Sequence, residues 1–303
     1  MKLSILIVNY QTPHLLRSCL EKLKLSLEFS NIFGDSETIV IDNSIDPKDI
    51  DSVEKAHPWI KIIRNNSNKG FATANNQGIK LSQGEYILLL NTDTEVSDNT
   101  IEKLLEIFAK DQMIGVAGCK LINKDGTVQP SIGYFPSLIK VFFWMSFLDD
   151  IPILTSVIKP YHLENCKYYG LLLKVDWVSG ACFMVKKNAI LEAGFIDENI
   201  FMYGEEVEWC YRIKKKGFKI FYIPQTSVLH LKGASGKGKL SGIAEEFSGL
   251  IYFYRKHYPI WQGIVLRILL IIGSLLRMIF FGIIAGNPSK AKLYAEAIKM
   301  VRR

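Results

Sequence analysis

Residues 71–95, FATANNQGIKLSQGEYILLLNTDTE, decide how the chain is read. Residues 71–81 carry a helical pattern that Gln83 and Gly84 bring to an end. Residues 86–90 are uniformly apolar, and Asn91, Thr92, Asp93, Thr94 and Glu95 follow as an abrupt polar cluster. A short strand with no polar face belongs inside a sheet covered on both sides. The same alternation continues outward. Toward the N-terminus, residues 3–8 read as a strand. Thr12 and Pro13 then open a helix with Leu15, Leu16, Cys19, Leu20, Leu23 and Leu27 at three- and four-residue steps. Residues 37–41 and 60–64 read as two more strands, the first ending at Asp42, Asn43 and Ser44. Toward the C-terminus, residues 101–109 read as a helix capped by Asp98, and residues 115–121 as a strand. Apolar strands alternating with helices predict an α/β chain with a mostly parallel sheet flanked by helices. Ligands of such sheets sit beyond the carboxyl ends of the strands. Three of these ends bear polar clusters: Asn9 with Tyr10, Asp42 with Asn43, and residues 91–95.

Beyond Gly126 the pattern changes. Residues 135–161 are aromatic and apolar, residues 174–186 are strand-like, and residues 207–216 read as a helix closed by Gly217. Residues 218–224 and 227–230 read as two extended pieces. Residues 231–242 read as a mobile loop, in which Lys232, Lys237 and Lys239 could meet phosphate. Residues 263–286 are mostly apolar. A helix of that length would measure about 36 Å, enough to span a bilayer. Arg267 and Arg277 oppose this, each costing roughly 2.5–3.5 kcal/mol near a bilayer centre. They lie about 80° apart around a helix, which permits one polar edge. An interfacial amphipathic helix or helix pair is favoured over a span, with a buried soluble helix as the plain alternative.

The chain has 303 residues, 49% of them hydrophobic and 22% charged, which excludes a disordered chain. Its 5 Cys are widely spaced with no CxxC pair, which argues against a disulfide scaffold or a zinc ribbon and fits reduced thiols in the cytosol. The opening MKLSILIVNY reads as a strand and not as a signal peptide. The formal charge is +7, yet residues 251–303 alone carry +8. A neutral body with a greasy, basic tail suits an anionic lipid surface better than nucleic acid.

A carboxylate ending a buried strand is costly unless it is paired or bound to a cation. Asp93 and Glu95 therefore point to Mg²⁺ or Mn²⁺, which bind through one or two carboxylates plus substrate phosphates. Glu205, Glu206 and Glu208 crowd a helix start, where compensation of the helix dipole is the plain reading. The aromatic flanks Phe201, Met202, Tyr203 and Trp209, Cys210, Tyr211 favour a lined pocket. A carboxylate there could act as general base toward a sugar hydroxyl. His230 ends a strand-like run and is a candidate ligand. GxxxxGK[ST], HExxH and GxSxG are absent, as is GxGxxG after the first strand, so P-loop and dinucleotide-binding readings are weak.

Four blocks occur in order: SILIVNYQ (4–11), IVIDNS (39–44), RNNSNKGFATANNQGIKLSQGEYILLLNTDTEV (64–96) and VDWVSGACFMVKKNAILEAGFIDENIFMYGEEVEWCYRIKKKGFKIFYIPQTSVLHLKGAS (175–235). Together they resemble the family 2 glycosyltransferases of GT-A fold, especially the rhamnosyltransferase-like branch that builds bacterial surface polysaccharides. The resemblance covers about residues 3–236. It implies a GT-A domain over residues 1–250 and leaves 251–303 as a basic, hydrophobic helical tail that associates with membrane or forms an oligomer interface. It also implies that Asn9 and Tyr10 lie near the nucleotide base and that Asp42 holds base or ribose. Arg64, Gly70, Asn75 and Asn76 would line the sugar-nucleotide site, with Asn91 and Thr92. Asn91-Thr92-Asp93 stands at the family's Asp-x-Asp motif, with Asn for the first acid, so Asp93 would be the main metal contact, with Glu95 beside it. His230 would complete that metal site. Trp177, Ser179 and Gly180 match the acceptor-side block. Glu205 and Glu206 match the family's Glu-Asp pair, whose second member is the usual base, and the longer Glu206 leaves the choice between them open.

The implied activity is inverting transfer from a nucleotide-diphospho-sugar, dTDP-rhamnose first and a UDP-sugar second. The acceptor would be a saccharide or a polyprenyl-diphosphate-linked saccharide, and the enzyme would sit on the cytoplasmic face of a membrane. A nucleotidyltransferase would want a glycine-rich loop where this chain reads NYQTPHLLRS. An inactive sugar-nucleotide-binding scaffold is the rival from another class.

Overall fold

The computed structural model describes residues 1–46, 48–200, 203–231 and 242–302, with the side chains of 48, 49 and 156 outside the description. Lys232, Lys237, Lys239, Phe201 and Met202 fall outside the described residues. The first half follows the expected alternation: β1 (Leu3–Asn9), α1 (Pro13–Phe29), β2 (Ser36–Asp42), α2 (Lys48–Ala56), β3 (Ile60–Arg64), α3 (Phe71–Leu81), β4 (Tyr86–Asn91), β5 (Thr94–Val96), α4 (Thr100–Lys110) and β6 (Ile114–Ile122). A long excursion comes next: β7 (Val128–Gln129), β8 (Ile132–Gly133), α5 (Leu138–Met145), α6 (Pro152–Val157), β9 (Leu173–Val175) and β10 (Trp177–Val178). The chain returns through β11 (Cys182–Lys186), α7 (Lys187–Ala193), α8 (Glu205–Lys215) and β12 (Lys219–His230). It ends in α9 (Gly242–His257), α10 (Ile260–Ile279) and α11 (Pro288–Val301).

The main sheet runs β3-β2-β1-β4-β11-β6-β12-β5, with β7 beside β6 and β9 beside β12. β3, β2, β1 and β4 are parallel, and β6 is parallel to β12. β11 lies antiparallel between β4 and β6, so the sheet is mostly parallel with one reversed strand inside it. Each face of the sheet carries its own hydrophobic core. Leu16, Cys19, Leu20, Leu23 and Leu27 of α1 meet one face beside Leu88 and Leu90. The other face packs α3, α8 and the C-terminal helices around Leu89 and Phe183. Close approach decides one glycine: a Cβ on Gly84 would lie 2.5 Å from the Ser4 backbone nitrogen.

Several expectations are corrected here. Asp98 does not cap α4: Asn99 holds that position without a side-chain cap bond, and the Asp98 carbonyl accepts the Ser26 hydroxyl. The two extended pieces at 218–230 are one strand, β12. Its register against β6 slips between Ile223 and Ser227. Pro224 lies in that slip, where a residue without an N–H does not break the ladder. The aromatics flanking the 205–208 carboxylates do not all line a pocket. Trp209 is buried and stacks on Phe183 at 5.4 Å, and Cys210 is in the core. All five cysteines are free thiols.

α9 runs through the 250/251 position, and its Phe247, Leu250, Phe253 and Tyr254 share a core with residues of the main body. α10 continues through a π-helical turn, Phe280–Ile284. Together they form 25 residues, Ile260–Ile284, of mean hydropathy 2.4, the one helix among the described residues long and apolar enough to cross a membrane. Its two arginines turn inward. Arg267 donates to the Val301 carbonyl. Arg277 is buried and donates to the carbonyls of Trp144 and Met145 and to the Tyr294 hydroxyl. Trp261, Ile264, Ile268, Ile272, Leu275, Ile279 and Ile283 are left exposed along the other face.

Arg277 thus closes the polar account of the α5–α10 contact. Arg277→Ala is expected to strand these acceptors and cost about 2–4 kcal/mol, since each unsatisfied buried group costs about 1–3 kcal/mol. Urea unfolding checks this, and a loss under about 0.5 kcal/mol would refute it.

Candidate active site

The first group of sequence-predicted site residues lies at the carboxyl ends of β1, β2 and β4. Register pairs Asn9 with Asp42 across β1 and β2. The fully buried Asn9 amide donates to Asp42 Oδ1 at 2.8 Å and to Ser44 Oγ at 3.2 Å, while its Oδ1 accepts from Thr12. Asp42 Oδ1 also accepts the Ser44 hydroxyl at 2.7 Å. The Thr12 and Thr92 hydroxyls meet at 3.1 Å and lock the loop after β1 to the end of β4. Asn9, Asp42 and Thr92 are therefore gathered in one buried polar frame, with the partly exposed Tyr10 at its rim.

The remaining donor-side residues divide. Gly70 opens α3 at φ 82° and takes Asn68 Oδ1 on its N–H. Asn75 donates to the Phe71 carbonyl inside its own helix. Asn76 clamps the segment after α7, donating to the Ile196 carbonyl and Glu198 Oε1 and accepting the Ile196 N–H. Arg64 is held by Asp51 at 2.9 Å and Glu54 at 2.7 Å on α2. Asn76 is thus committed to neighbouring protein groups, whereas Arg64 stands opposite Asp42 in the β2–β3 register with its guanidinium turned to the α2 carboxylates.

β4 turns at Thr92 and Asp93 into β5, which pairs with the end of β12 and sets Thr94 opposite His230. His230 Nε2 then lies 3.5 Å from Asp93 Oδ1, and both groups are buried or nearly so. The imidazole has a fixed role. Gln129 donates its amide N–H groups to Asn123 Oδ1 and the His230 carbonyl, both at 2.7 Å. Its Oε1, 2.9 Å from His230 Nδ1, must therefore accept, so Nδ1 is the donor. Nε2 is left to face the Asp93 carboxylate. Two acceptors facing each other across this gap are what a divalent cation would satisfy, and metal-ligating imidazoles are commonly oriented in this way through their other nitrogen. Asp93 and His230 thus fit a divalent ion, with phosphate oxygens to complete it. Glu95 is not brought to them: Ser18 of α1 donates to its Oε1 at 2.7 Å. Among the described residues no three His, Cys, Asp or Glu side chains form a metal cluster. Asn91 ends β4, its N–H on the Ala181 carbonyl.

Trp177, Ser179 and Gly180 lie on the separate two-stranded sheet β10-β8 and just after it. β10 pairs with β8, which sets Trp177 opposite Gly133. A Cβ on Gly133 would lie 1.8 Å from the Tyr161 carbonyl and 2.7 Å from the Trp177 ring, so only glycine admits this packing. Trp177 Nε1 is buried with no hydrogen-bond partner among the described residues. Ser179 N–H donates to Ser131, its Oγ accepts from Ala181, and Gly180 rests beside Phe71.

α8 begins at Gly204, φ 96°, and its three acidic residues separate. Glu205 is buried, and Oε2 has no partner among the described residues. Burial, then the Glu206 and Glu245 charges, push its carboxyl well above the usual range. Glu206 is half-buried and accepts the Gly204 N–H at 3.2 Å. Burial raises its carboxyl too, backbone N–H groups oppose the rise, Glu246 adds to it and His162 offsets it. Glu208 leaves the site. It is wholly buried and binds Arg212, Lys256 and His257 at 2.8–3.0 Å, joining α8 to α9. At Tyr203, burial, then the charges of Glu245, Glu205, Glu206 and Asp93, raise the phenol. Sequence reading missed His162 and Glu246, which meet at 2.6 Å beside Trp177. Neither sits in a motif, and only packing brings them together.

The sheet with its polar strand ends, faced by the carboxylate-bearing α8, has the GT-A fold. The solved structure of GalNAc-T7 with UDP, GalNAc and Mn²⁺ shares this fold at TM-score 0.54 and 17% identity, covering 84% of this chain, which spans half of that one. Residues 4–168 match the model of Glycosyl transferase family 2, and the chain belongs to that family. It is 27% identical over 226 residues to N-acetylglucosaminyl-diphospho-decaprenol L-rhamnosyltransferase of Mycobacterium tuberculosis, covering 70% of this chain and 72% of that protein. It is 26% identical to a low-salt glycan biosynthesis hexosyltransferase of Haloferax volcanii, covering 75% of this chain and 66% of that one. The protein is a glycosyltransferase similar to the rhamnosyltransferase-like branch.

The Gln129 contact gives a test of the cation reading. Gln129→Met is expected to weaken Mn²⁺ binding about 10–100-fold, the usual cost of removing such an orienting partner. Glu95→Gln should leave it unchanged. Calorimetry with a nucleoside diphosphate present separates the two, and equal affinities in both variants would count against Asp93 and His230 as ligands.

Proposed function

We propose that the chain is an inverting, metal-dependent glycosyltransferase. It takes its sugar from a nucleotide-diphospho-sugar, dTDP-rhamnose first and a UDP-sugar second. The acceptor is a polyprenyl-diphosphate-linked saccharide at the cytoplasmic face of a membrane. The observation that carries this reading is the approach of His230 Nε2, oriented through Nδ1 by Gln129, to within 3.5 Å of the Asp93 carboxylate at the end of the sheet. The relative named for rhamnosyl transfer to a decaprenol-linked sugar supports the donor and the acceptor class.

Asp42, held by Asn9 and Ser44, receives the nucleoside. Asp93 and His230 would hold Mg²⁺ or Mn²⁺, which when bound supplies Lewis-acid stabilisation of the leaving diphosphate. Glu206 accepts the proton of the attacking hydroxyl. Glu205 is the less suited of the two, because its deeper burial raises its carboxyl and disfavours the ionised form. Attack from the face opposite the leaving diphosphate inverts the anomeric centre, with the logic of an inverting glycosidase and a sugar hydroxyl in place of water.

Nucleotide binding and turnover test this together. A nucleotide at 100 times its Kd adds roughly 2.7 kcal/mol to stability, so Mn²⁺-dependent thermal shifts with dTDP or UDP identify the base. Asp93→Ala should abolish the shift. Glu206→Gln should keep it and lose about 10²–10⁴-fold in transfer, the usual share of a general base. Binding without turnover in the unaltered chain would favour the inactive scaffold.

The outward face of α10 supports the membrane part. Its exposed apolar stripe lies beside Lys290 and Lys292 of α11, and basic residues near anionic lipid gain roughly 1 kcal/mol each. With α10 packed on α5, α9 and α11, it would lie in the interface and not cross it. Changing Trp261, Ile268 and Ile272 together to Glu should abolish flotation with phosphatidylglycerol vesicles. Flotation equal to that of the unaltered chain would remove the membrane assignment, and a changed oligomeric state would assign the stripe to self-association.

A further inference from the structure

Lys140, Lys159 and Lys214 come from α5, the segment after α6 and the last turn of α8, and they meet on two neighbouring rings. Lys140 Nζ lies 5.5 Å and Lys159 Nζ 4.9 Å from the centre of the Tyr134 ring. Lys214 Nζ lies 5.5 Å from the centre of the Phe135 ring. The backbone fixes both rings in place. The Tyr134 N–H donates to the Tyr161 carbonyl at 3.1 Å, and the Phe135 N–H to Asp176 Oδ2 at 2.9 Å. Lys140 Nζ donates to the Phe135 carbonyl at 3.1 Å. Nothing in the reaction described above uses these lysines.

The group is short of negative charge. Asp176 is the carboxylate beside it, and Lys214 holds that carboxylate. Lys140 and Lys159 belong to no ion pair among the described residues. Three ammonium groups against one carboxylate leave two positive charges over. The ring faces attract the ammonium groups but carry no net charge. Lys140 is half-buried in the first turn of α5, where the positive end of the helix dipole opposes a cation. Burial lowers its ammonium below the ordinary value, Asp176 opposes this, and Lys214 and Lys159 add to the lowering. A bound anion would relieve all three strains at once.

The position of the group says which anion. Tyr134 follows Gly133 and Asp176 precedes Trp177, so the lysines stand at the end of the β8–β10 pair, one residue from the tryptophan assigned to the acceptor side. The helix that carries Lys140 rests on α10: a Cβ on Gly273 would lie 2.4 Å from Met145 Cβ. α10 in turn carries the exposed apolar stripe.

We propose that Lys140 and Lys159, with Lys214, form the subsite for the diphosphate of a polyprenyl-diphosphate-linked acceptor, joining a sugar at Trp177 to lipid at α10. This rests on the acceptor class proposed above. A diphosphate that links a sugar to a polyprenol carries two negative charges, which matches the two unneutralised lysines, whereas a phosphatidylglycerol headgroup carries one. Ammonium groups on long stems suit phosphate oxygens as point charges.

Binding to the full chain, with no nucleotide sugar present, tests the subsite. The probes are farnesyl-diphospho-N-acetylglucosamine and farnesyl N-acetylglucosaminide, which lacks the diphosphate, and calorimetry reads both. The unaltered chain should bind the first about 10–100-fold more tightly, the worth of one charge-assisted contact. Lys140→Gln/Lys159→Gln should remove that preference and leave affinity for the second probe unchanged. Lys140→Arg/Lys159→Arg should keep the preference, since it keeps the charge. Equal affinity of the unaltered chain for both probes, or a preference that survives the Gln variant, would overturn the proposal. An equal loss for both probes would mean lost packing and overturn it too.

Flotation with phosphatidylglycerol vesicles separates the other source of phosphate. The Gln variant should float as the unaltered chain does. Lost flotation with the probe preference intact would assign the lysines to lipid headgroups instead. Transfer is scored apart from binding: an unaltered chain that moves no sugar to either probe refutes the transferase reading, while the difference between the probes still decides the subsite.

Discussion

β4 is bonded along both edges, parallel to β1 and antiparallel to β11, and the rest of the molecule is arranged around that constraint. Leu88 sits opposite Ile5 on one side and Met184 on the other, and it is completely buried. A strand so enclosed tolerates polar atoms only at its end, so the first polar residues after Leu90 mark the rim of the sheet. The turn at Thr92 and Asp93 and the start of β5 follow from the same limit. β5 then places Asp93 next to the end of β12, and His230 with it.

A second constraint assembles the other half of the site. Glu208 has no access to solvent and is surrounded by Arg212, Lys256 and His257. A carboxylate so deep is stable only when fully partnered. The cluster therefore pins α9 to α8. Gly249 of α9 lets it lie against Tyr203, where a Cβ would come within 2.5 Å of the Tyr203 carbonyl. Because α9 is fixed there, its first turns bring Glu245 and Glu246 to Glu205 and Glu206. The acidic cluster is thus a product of one buried ion group and one close helix crossing.

The parallel half of the sheet was legible in the sequence because its strands are short, apolar and separated by periodic helices. β3 and α3 fall at the expected residues, and β1, β2, β4, α4 and β6 differ only at their ends. The polar strand ends were equally legible, since residues such as Asn9, Asp42 and Asp93 interrupt apolar runs. What escaped depends on distance in space. Arg64 reads as a ligand from its place at a strand end, yet α2, which carries no clear apolar period, supplies Asp51 and Glu54 to hold it. Glu95 reads as a metal ligand two residues from Asp93, but the chain turns at Thr92 and Asp93 before β5 begins, and Glu95 meets Ser18 of α1. Glu208 reads as the third member of an acidic run, whereas one further step around α8 carries it into the body. His162 and Glu246, 84 residues apart, leave no local pattern at all.

The placement of β11 has a consequence for how such a chain can diversify. β6 ends at Ile122 and β11 begins at Cys182 as its antiparallel neighbour, so apart from the short strands β7 and β9 the segment between them leaves and re-enters the sheet at adjacent positions. That excursion carries β8, α5, β10, His162 and Trp177, the acceptor-side wall. The donor frame, from Asn9 to Asp93, lies wholly before it. A loop closed between neighbouring strands can be lengthened at little entropic expense, about 0.6 kcal/mol for each doubling. The topology therefore lets residues 130–172, between β7 and β9, be replaced or extended without rethreading a strand that carries Asn9, Asp42, Asp93 or His230.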